Sequence, residues 1–546
     1  MSQHSKRKLV PAQSSLTTSG QRSAKNPGTA GLTIAMALYV ISVGAVPSFI
    51  YWLVTAKQDW GQFWKLAASP TGTMLAAGGA VLAAYFAVLN GERSRRQDRE
   101  ITDLDRHAAI ARDLRMRFTS AAEQLGNDRL NVRQAAAYAM AANANDWLSL
   151  GSNKTMGVRE AQACIDVLCN ILRSTPDRLG PTSAKTQQPP DQPVRSTIID
   201  IMASHLRVSA DPSWRDLRFD LTGAHLHNVN FTDCHFDGSL SLNHAQFTGE
   251  QASFTGSHLT NATFERAQFG VGTTAEFTQT TWNTTAEFQR TEFGGGLTFD
   301  EAKFNAGVAF ISATLGAAGI ASFRAAEFFG IADFRFATVH CSIAQFDQAV
   351  FRGPALFTSL NADLPAYSAS VSFNGAKFHG PADFQACHFG AQADFRHSEF
   401  LSSAEGSKAL DDTNFDGEDA VKFKDAKFTI AEFSFAKFYR PASFYGTAWL
   451  FKARFPGAIF ASPVWFENTT FHNGASFVGD AFIYGAKFYR VSWGHDPIDF
   501  RNPAVWNDVR TDWDGSSPFV TSILTQPDNV LPTDWPPQAT SRASSS

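Results

Sequence analysis

The chain has 546 residues, 44% hydrophobic and 18% charged, with a formal net charge of −4. That length exceeds an ordinary single domain, and the near balance of charge excludes a uniformly basic nucleic-acid binder. Its five cysteines (Cys164, Cys169, Cys234, Cys341, Cys387) are odd in number and lack a C-x-x-C spacing, which excludes a disulfide-framed scaffold and fits a reducing compartment.

Residues 1–28 are polar and read as a disordered tail. Residues 31–54 then carry no charge, and a second uncharged run extends from Ser69 to Asn90. A bilayer needs about 20 apolar residues per helix, so 29–90 is expected to form a transmembrane hairpin with helices over 31–54 and 70–90. Trp52, Trp60, Phe63 and Trp64 lie at or beside the connecting loop, as interfacial aromatics do. A signal peptide fits the first run poorly, since it is long and follows a polar tail. A buried core helix is the alternative for the Ala- and Gly-rich second run. Lys6, Arg7, Lys8, Arg22 and Lys25 precede the hairpin and Arg93, Arg95, Arg96 and Arg99 follow it, while the loop holds only Lys57 and Lys65. This bracket of positive charge places both termini in the cytoplasm of a two-helix, multi-pass membrane protein.

Residues 91–205 read as an α-helical cytoplasmic segment. Ile101, Leu104, Ala108, Ala111, Leu114, Phe118, Ala121 and Leu125 recur at steps of three and four, an amphipathic stripe. Gly126-Asn127-Asp128 ends that helix; a second begins at Val132, and a third covers 157–173. The stripe breaks the heptad at Leu114, which favours packing within the chain over pairing of two subunits. The stretch from Gln187 to Pro193 is expected to loop out.

From residue 211 to 493 aromatic residues recur at steps of five and six: Phe373, Phe378, Phe384, Phe389, Phe395, Phe400, then Phe433, Phe438, Phe444, Trp449, Phe455 and Phe460. A small residue stands two before most of them, as in Ala332-Asp333-Phe334, Ala382-Asp383-Phe384 and Ala436-Lys437-Phe438. Neither a helix nor a strand has this period; a coil that stacks on itself does. The motif A-x-F-x-x resembles the pentapeptide-repeat proteins of bacteria, with Phe where Leu is commoner. The resemblance implies a mainly β fold: a right-handed quadrilateral β-helix, one repeat per side and four per coil. Coils of 21–22 residues stacked about 4.8 Å apart would give about thirteen coils and roughly 60 Å of stack. The central Phe and the small residue two before it should point inward, with the extra residue of each six absorbed at a corner. The stretch Phe118–Trp147 resembles the HEAT-like helical unit that precedes the repeats in membrane-anchored members, where it would cover the first open β-edge.

Outward positions carry the charge. Asp333, Asp383, Asp394, Glu276, Glu287, Glu327 and Glu432 precede inward Phe residues, and Arg324, Arg335, Arg352 and Arg396 follow them. Residues 211–500 hold 31 acids against 20 bases. These read as solvated columns, each pair weak. The step is interrupted twice, from Phe357 to Phe373 and from Phe400 to Phe415; both segments should protrude, and they could emerge near one another as a contact site. Residues 494–546 lose the period and are expected to form an end cap and a disordered tail.

The chain lacks phosphate-binding loops, dinucleotide fingerprints, zinc-protease motifs and nucleophile elbows. Cys234 and Cys387 occupy small-residue slots and read as buried substitutes for Ala, not as metal ligands with His235 and His388. His225 and His227 read as surface residues. No catalytic, cofactor or metal residue is assigned and no cofactor is implied. The expected function is a non-enzymatic, membrane-anchored protein–protein interaction scaffold, its protein partner and oligomeric state left open. Nucleic acid is not expected as a partner. The alternative, implied by the resemblance and the acidic balance, is a DNA-mimicking binder of DNA gyrase.

Overall fold

The computed structural model describes residue 52 and residues 60–150, 154–176, 189–364, 367–401, 420–515 and 525–540. It divides into two compact units, 1–110 and 111–546. The first uncharged run lies outside the described residues except for Trp52. The second belongs to helix α1 (Trp60–Leu125), which starts early enough to make Trp60, Phe63 and Trp64 helical and not part of a loop. Among the described residues no helix is long and apolar enough to cross a membrane, so the expected hairpin finds no support there.

In the second unit the amphipathic stripe holds from Ala111 onward: Ala111, Leu114, Ala121 and Leu125 are buried and Phe118 is partly so. Ile101, in the first unit, is exposed. The stripe therefore packs only where partners exist, against α2 (Leu130–Ser149) and α3 (Lys154–Arg173). A fourth helix, α4 (Gln192–Leu206), has Pro193 in its first turn. The proline-containing stretch expected to loop out thus ends as a helix start, because proline's fixed φ suits the first helical position. A buried ion pair ties these helices. Arg195 Nε donates to Asp191 Oδ2 at 2.7 Å, and its other nitrogens donate to the carbonyls of Leu172 and Ser174 at the end of α3.

Beyond Trp214 the chain winds into coils. Among the described residues side one carries 13 strands, from Arg218–Asp220 to Val509–Thr511, and side four carries 12, from His235–Phe236 to Val505–Trp506. Sides two and three run together in several coils, as in Gln246–Ser253 and Ala448–Arg454. Every ladder between coils is parallel, and like residues stack: Phe304 on Phe328, Phe328 on Phe351, Phe351 on Phe378.

Two of the four corners repeat one turn. Where side one meets side two, and where side three meets side four, the carbonyl of an inward residue accepts the N–H three residues on in most coils, as Phe264 does from Ala267, Phe277 from Thr280 and Leu221 from Ala224. The residue between, two after the Phe, has a positive φ: Arg266 55°, Gln279 57°, Ser312 56°, His397 56°. A β-turn with its third residue left-handed is of the type II kind. Glycine suits that position but stands there in only a few coils, such as Gly375 and Gly446; elsewhere the stacking tolerates side chains in it. The next inward aromatic follows five residues after the turn Phe, as in Phe264–Phe269 and Phe277–Trp282.

Length varies at the other two corners. From side two to side three the gap between inward residues is six for Phe269–Ala275 and four for Phe471–Ala475. From side four to side one it is three for Leu259–Ala262 and four for Phe328–Ala332. The alternation of five and six is thus a property of corners, since the hydrogen-bonded turns admit no extra residue. The side four to side one corner is tight in the middle coils. A Cβ on Gly353 would lie 2.3 Å from the Gly330 carbonyl oxygen, and one on Gly380 would lie 2.3 Å from that of Gly353.

The shaft is aromatic. The turn Phe residues form two opposed columns: Phe264, Phe288, Phe310 and Phe334 in one, Phe277, Phe299, Phe323 and Phe346 in the other. Within a column rings stack, 4.9 Å apart for Phe310–Phe334; across the shaft they meet edge to face, 5.5 Å apart at 87° for Phe310–Phe323. Both arrangements suit the ring quadrupole and add about 0.5–1.5 kcal/mol per pair beyond burial. Both ends of the stack are covered. Gln162 of α3 donates to the Arg218 carbonyl at 2.8 Å and accepts from the Arg218 N–H at 2.9 Å, so a side-chain amide completes the first open edge. At the far end Val530–Leu531 pairs with Ile498–Asp499, and Trp535 packs edge-on against Phe500, Trp506 and Trp513.

Candidate interaction surface

The residues that could carry chemistry are dispersed. Among the described residues no three His, Cys, Asp or Glu side chains are placed to hold a metal ion. His227 meets Thr248 at 3.1 Å, and His235 stacks on His258 with centroids 4.3 Å apart. Cys234 and Cys387 are fully buried, and their thiols point at the carbonyls of Ala203 and Phe357. Burial pushes the Cys234 thiol up to about 12, which leaves it inert as a nucleophile.

The charged columns differ from the expectation. Many pairs close within one turn and not between coils. Asp333 takes a forked contact from Arg335, Asp394 from Arg396 and Asp499 from Arg501, each with an Nη2–Oδ2 distance of 2.6–2.7 Å. The carboxylates are recessed, because each also accepts the arginine's own backbone N–H: Asp333 and Asp394 are only 7% and 8% exposed. Contacts between coils do occur, as in Arg352–Glu327, Arg454–Glu432 and Lys437–Glu399.

The two interruptions do not emerge together. The first sits at a side two to side three corner, where Asp363–Leu364 and Tyr367–Ser368 form a small antiparallel hairpin. The second leaves after Leu401 on side four and returns at Ala420 before side one; residues 402–419 lie outside the described residues. These are diagonally opposite corners, the two that tolerate length changes, so the two segments do not leave the coils side by side. Arg440 occupies the second corner, 3% exposed, with its guanidinium donating to the carbonyls of Leu401 and His379.

The feature that sequence reading missed is side four itself. Its outer positions are cationic in the middle coils, with Lys303, Arg352 and Lys377 exposed and Lys437 beside them. Glu327 and Glu399 lie lower, engaged by Arg352 and by Lys437 and Lys377. Further along, the same outer positions turn apolar: Ile459, Ala461, Ile483 and Val505 are partly exposed, Tyr439 is 41% exposed and Tyr484 is 48%. Phe329, Ile331 and Phe435 are exposed at its margins. On sides two and three many of the corresponding outer residues are polar or charged, as with Thr470, Ser492, Arg454, Ser476 and Asp499, although Leu450 and Phe451 are exposed there. A signal was present in Lys437-Phe438-Tyr439, Ile459-Phe460-Ala461 and Ala481-Phe482-Ile483, but reading it requires knowing which repeats share a side.

A separate cleft of about 530 Å³ lies where α3 meets the first coil, lined by Asp166, Cys169, Arg173, Arg218, Asp220 and Ser241 among others. Arg173 and Asp220 close on each other across it at 2.7 Å.

Comparison with known proteins adds one match. Residues 221–268 fit the family model described as pentapeptide repeats (9 copies). That stretch holds the coils in which Leu still fills central positions: Leu221, Leu226, Leu240, Leu242 and Leu259. No curated protein and no solved structure matches the chain. Residues 221–268 thus match the pentapeptide-repeat family, and the stacked parallel coils with their A-x-F slots form a β-solenoid built largely on phenylalanine.

Proposed function

We propose that this protein is a non-enzymatic scaffold, tethered to the membrane through the uncharged runs near its N-terminus, with its coils in the cytoplasm and side four as the surface that a protein partner contacts. The observation that carries the reading is the outer row of side four, where Tyr439, Ile459, Ile483 and Tyr484 adjoin Lys437 and Lys377. Exposed aromatic residues such as these tyrosines are enriched at interface centres, and charged residues surround them at the rim. Exposed cations on this face also speak against the acidic DNA-mimic reading.

The tethering part rests on sequence alone, on the two uncharged runs and the basic residues that bracket them. Labelling of intact cells from outside should modify a cysteine placed near Gly61 and spare one near Gly20; the reverse pattern overturns the cytoplasmic assignment. For the contact surface, a photo-crosslinking residue at Tyr484 should give adducts in cells that the same residue at Thr470, on side two, does not. Equal adducts at both positions, or adducts at Thr470 alone, would remove side four from the reading.

A further inference from the structure

Asp480 is a carboxyl group inside an apolar shaft. It is fully buried, and it fills the slot three residues after a turn Phe, the slot held by Ala349, Ala376, Ala436 and Ala458 in earlier coils. Its Oδ1 accepts the Ala458 N–H at 3.0 Å, while its Oδ2 has no hydrogen-bond partner. Where this column holds a hydroxyl, the group donates to a Phe carbonyl: Ser257 to Phe231, Thr280 to Phe277, Ser398 to Phe395. A carboxylate cannot donate; a neutral carboxylic acid can. With Oδ2 unpartnered in an apolar shaft, the slot penalises the ionised form far more than the neutral one.

The surroundings agree. Burial raises the pKa of Asp480 well above the ordinary carboxylate value, opposed only by the N–H groups of Ala458 and Gly457, and no charged side chain acts on it. The elements packed around it contribute backbone and rings: the Gly457–Ala458 turn before it, Phe477 and Phe482 within its coil, and Ala504–Val505 after it. The same residue also holds the next coil, since the Asp480 carbonyl accepts from Ala504 N at 2.8 Å and from Val505 N at 3.4 Å.

We propose that Asp480 is a proton-operated catch on the last coil. In the neutral form it sits in the shaft and keeps Ala504–Trp506 docked on Ala481–Phe482. On ionisation it seeks water, and the nearest opening is the end of the stack, so residues 500–511 and the cap at Val530–Leu531 loosen. The folded group binds its proton more tightly than the unfolded chain does. The stabilisation is therefore complete below the unfolded value and is lost as pH rises through the folded one.

Hydrogen exchange on the full chain across neutral and alkaline pH tests this, after correction for the intrinsic pH dependence of exchange. Protection at Ala504, Val505 and Asn507 should fall by up to about tenfold per pH unit between the unfolded and the folded value, and level off above the latter. Protection at Phe277 and Phe288, many coils away, should stay constant. Asp480→Asn and Asp480→Ser should remove the pH dependence at Ala504 and Val505, the serine supplying the donor seen elsewhere in the column. If both variants keep the wild-type profile, or if protection falls equally along all coils, Asp480 is not the catch.

Discussion

The helical segment and the coils are built from the same apolar material but use it differently. In α2, α3 and α4 each buried residue has a unique setting: Met140, Trp147, Ile165 and Met202 occur once each, and Asp191–Arg195 ties three helices through a contact that no other part of the chain repeats. In the coils a residue's setting is its column. Phe384 stacks at 5.0 Å between Phe357 and Phe423, and Phe444 stacks at 4.7 Å between Phe423 and Phe466. What holds for one holds for the other. In a stacked repeat, stability is a sum of near-identical local terms, whereas in a helical cluster it is concentrated in a few irreplaceable contacts.

That contrast can be broken by substitution. The largest effect is expected from Phe384→Ala, which empties a ring site in the shaft and should cost about 3–5 kcal/mol. Phe444→Ala should cost a similar amount. Chemical denaturation of the two variants checks this; a difference approaching the whole effect would show that columns are not equivalent.

Next comes Arg195→Ala, which leaves the 1% exposed Asp191 without its closest partner and should cost about 3 kcal/mol. Replacing the pair together, Asp191→Leu with Arg195→Met, should recover much of that loss. No recovery would mean that the contacts of Arg195 to the Leu172 and Ser174 carbonyls dominate.

Gln162→Ala removes the amide that closes the first edge and should cost about 1 kcal/mol. The sharper readout is local: the Arg218 amide should lose protection from hydrogen exchange while Leu240, one coil on, keeps it. Equal loss at both would make Gln162 a general support and not an edge cover.

The smallest effects belong to the outer surface. Gln385→Ala, next to Phe384, should change stability by under about 0.5 kcal/mol. The hydrogen bond from Lys437 holds the Glu399 carboxyl below its usual range. Its contribution is present above the unfolded value and is lost as pH falls through the folded one. Glu399→Gln should abolish that acid-side component, which is under about 0.5 kcal/mol for a partly exposed pair. A larger acid-side change would show side four to be more tightly knit than its exposure implies.

The fold of the coils was legible because its cause is local. A Phe must enter the shaft every five or six residues, with a small residue two before it, so the register of Phe373, Phe378 and Phe384 can be read without coordinates. The burial of Cys234 and Cys387 followed from the same slots. Less followed for the helices. The stripe from Ile101 to Leu125 has one period throughout, yet Ile101 and Ala108 are exposed while Ala111, Leu114, Ala121 and Leu125 are buried, since burial requires a neighbour and periodicity only permits one.

By itself the sequence determined the repeat, its inward residues, the absence of familiar catalytic motifs and the end of α1 at the Gly126 turn, all set by steric and hydrogen-bonding rules that act over a few residues. Only the tertiary structure decided which repeats share a side. It therefore decided that the two interruptions leave at opposite corners, that Asp333 pairs within its own turn, and that Tyr439, Ile459 and Tyr484 gather on one face. The physical reason is the variable corner. One extra residue between side two and side three leaves the local motif unchanged but shifts every later residue number relative to its column. Position around the shaft is thus an accumulated sum of corner lengths, and no local pattern records it.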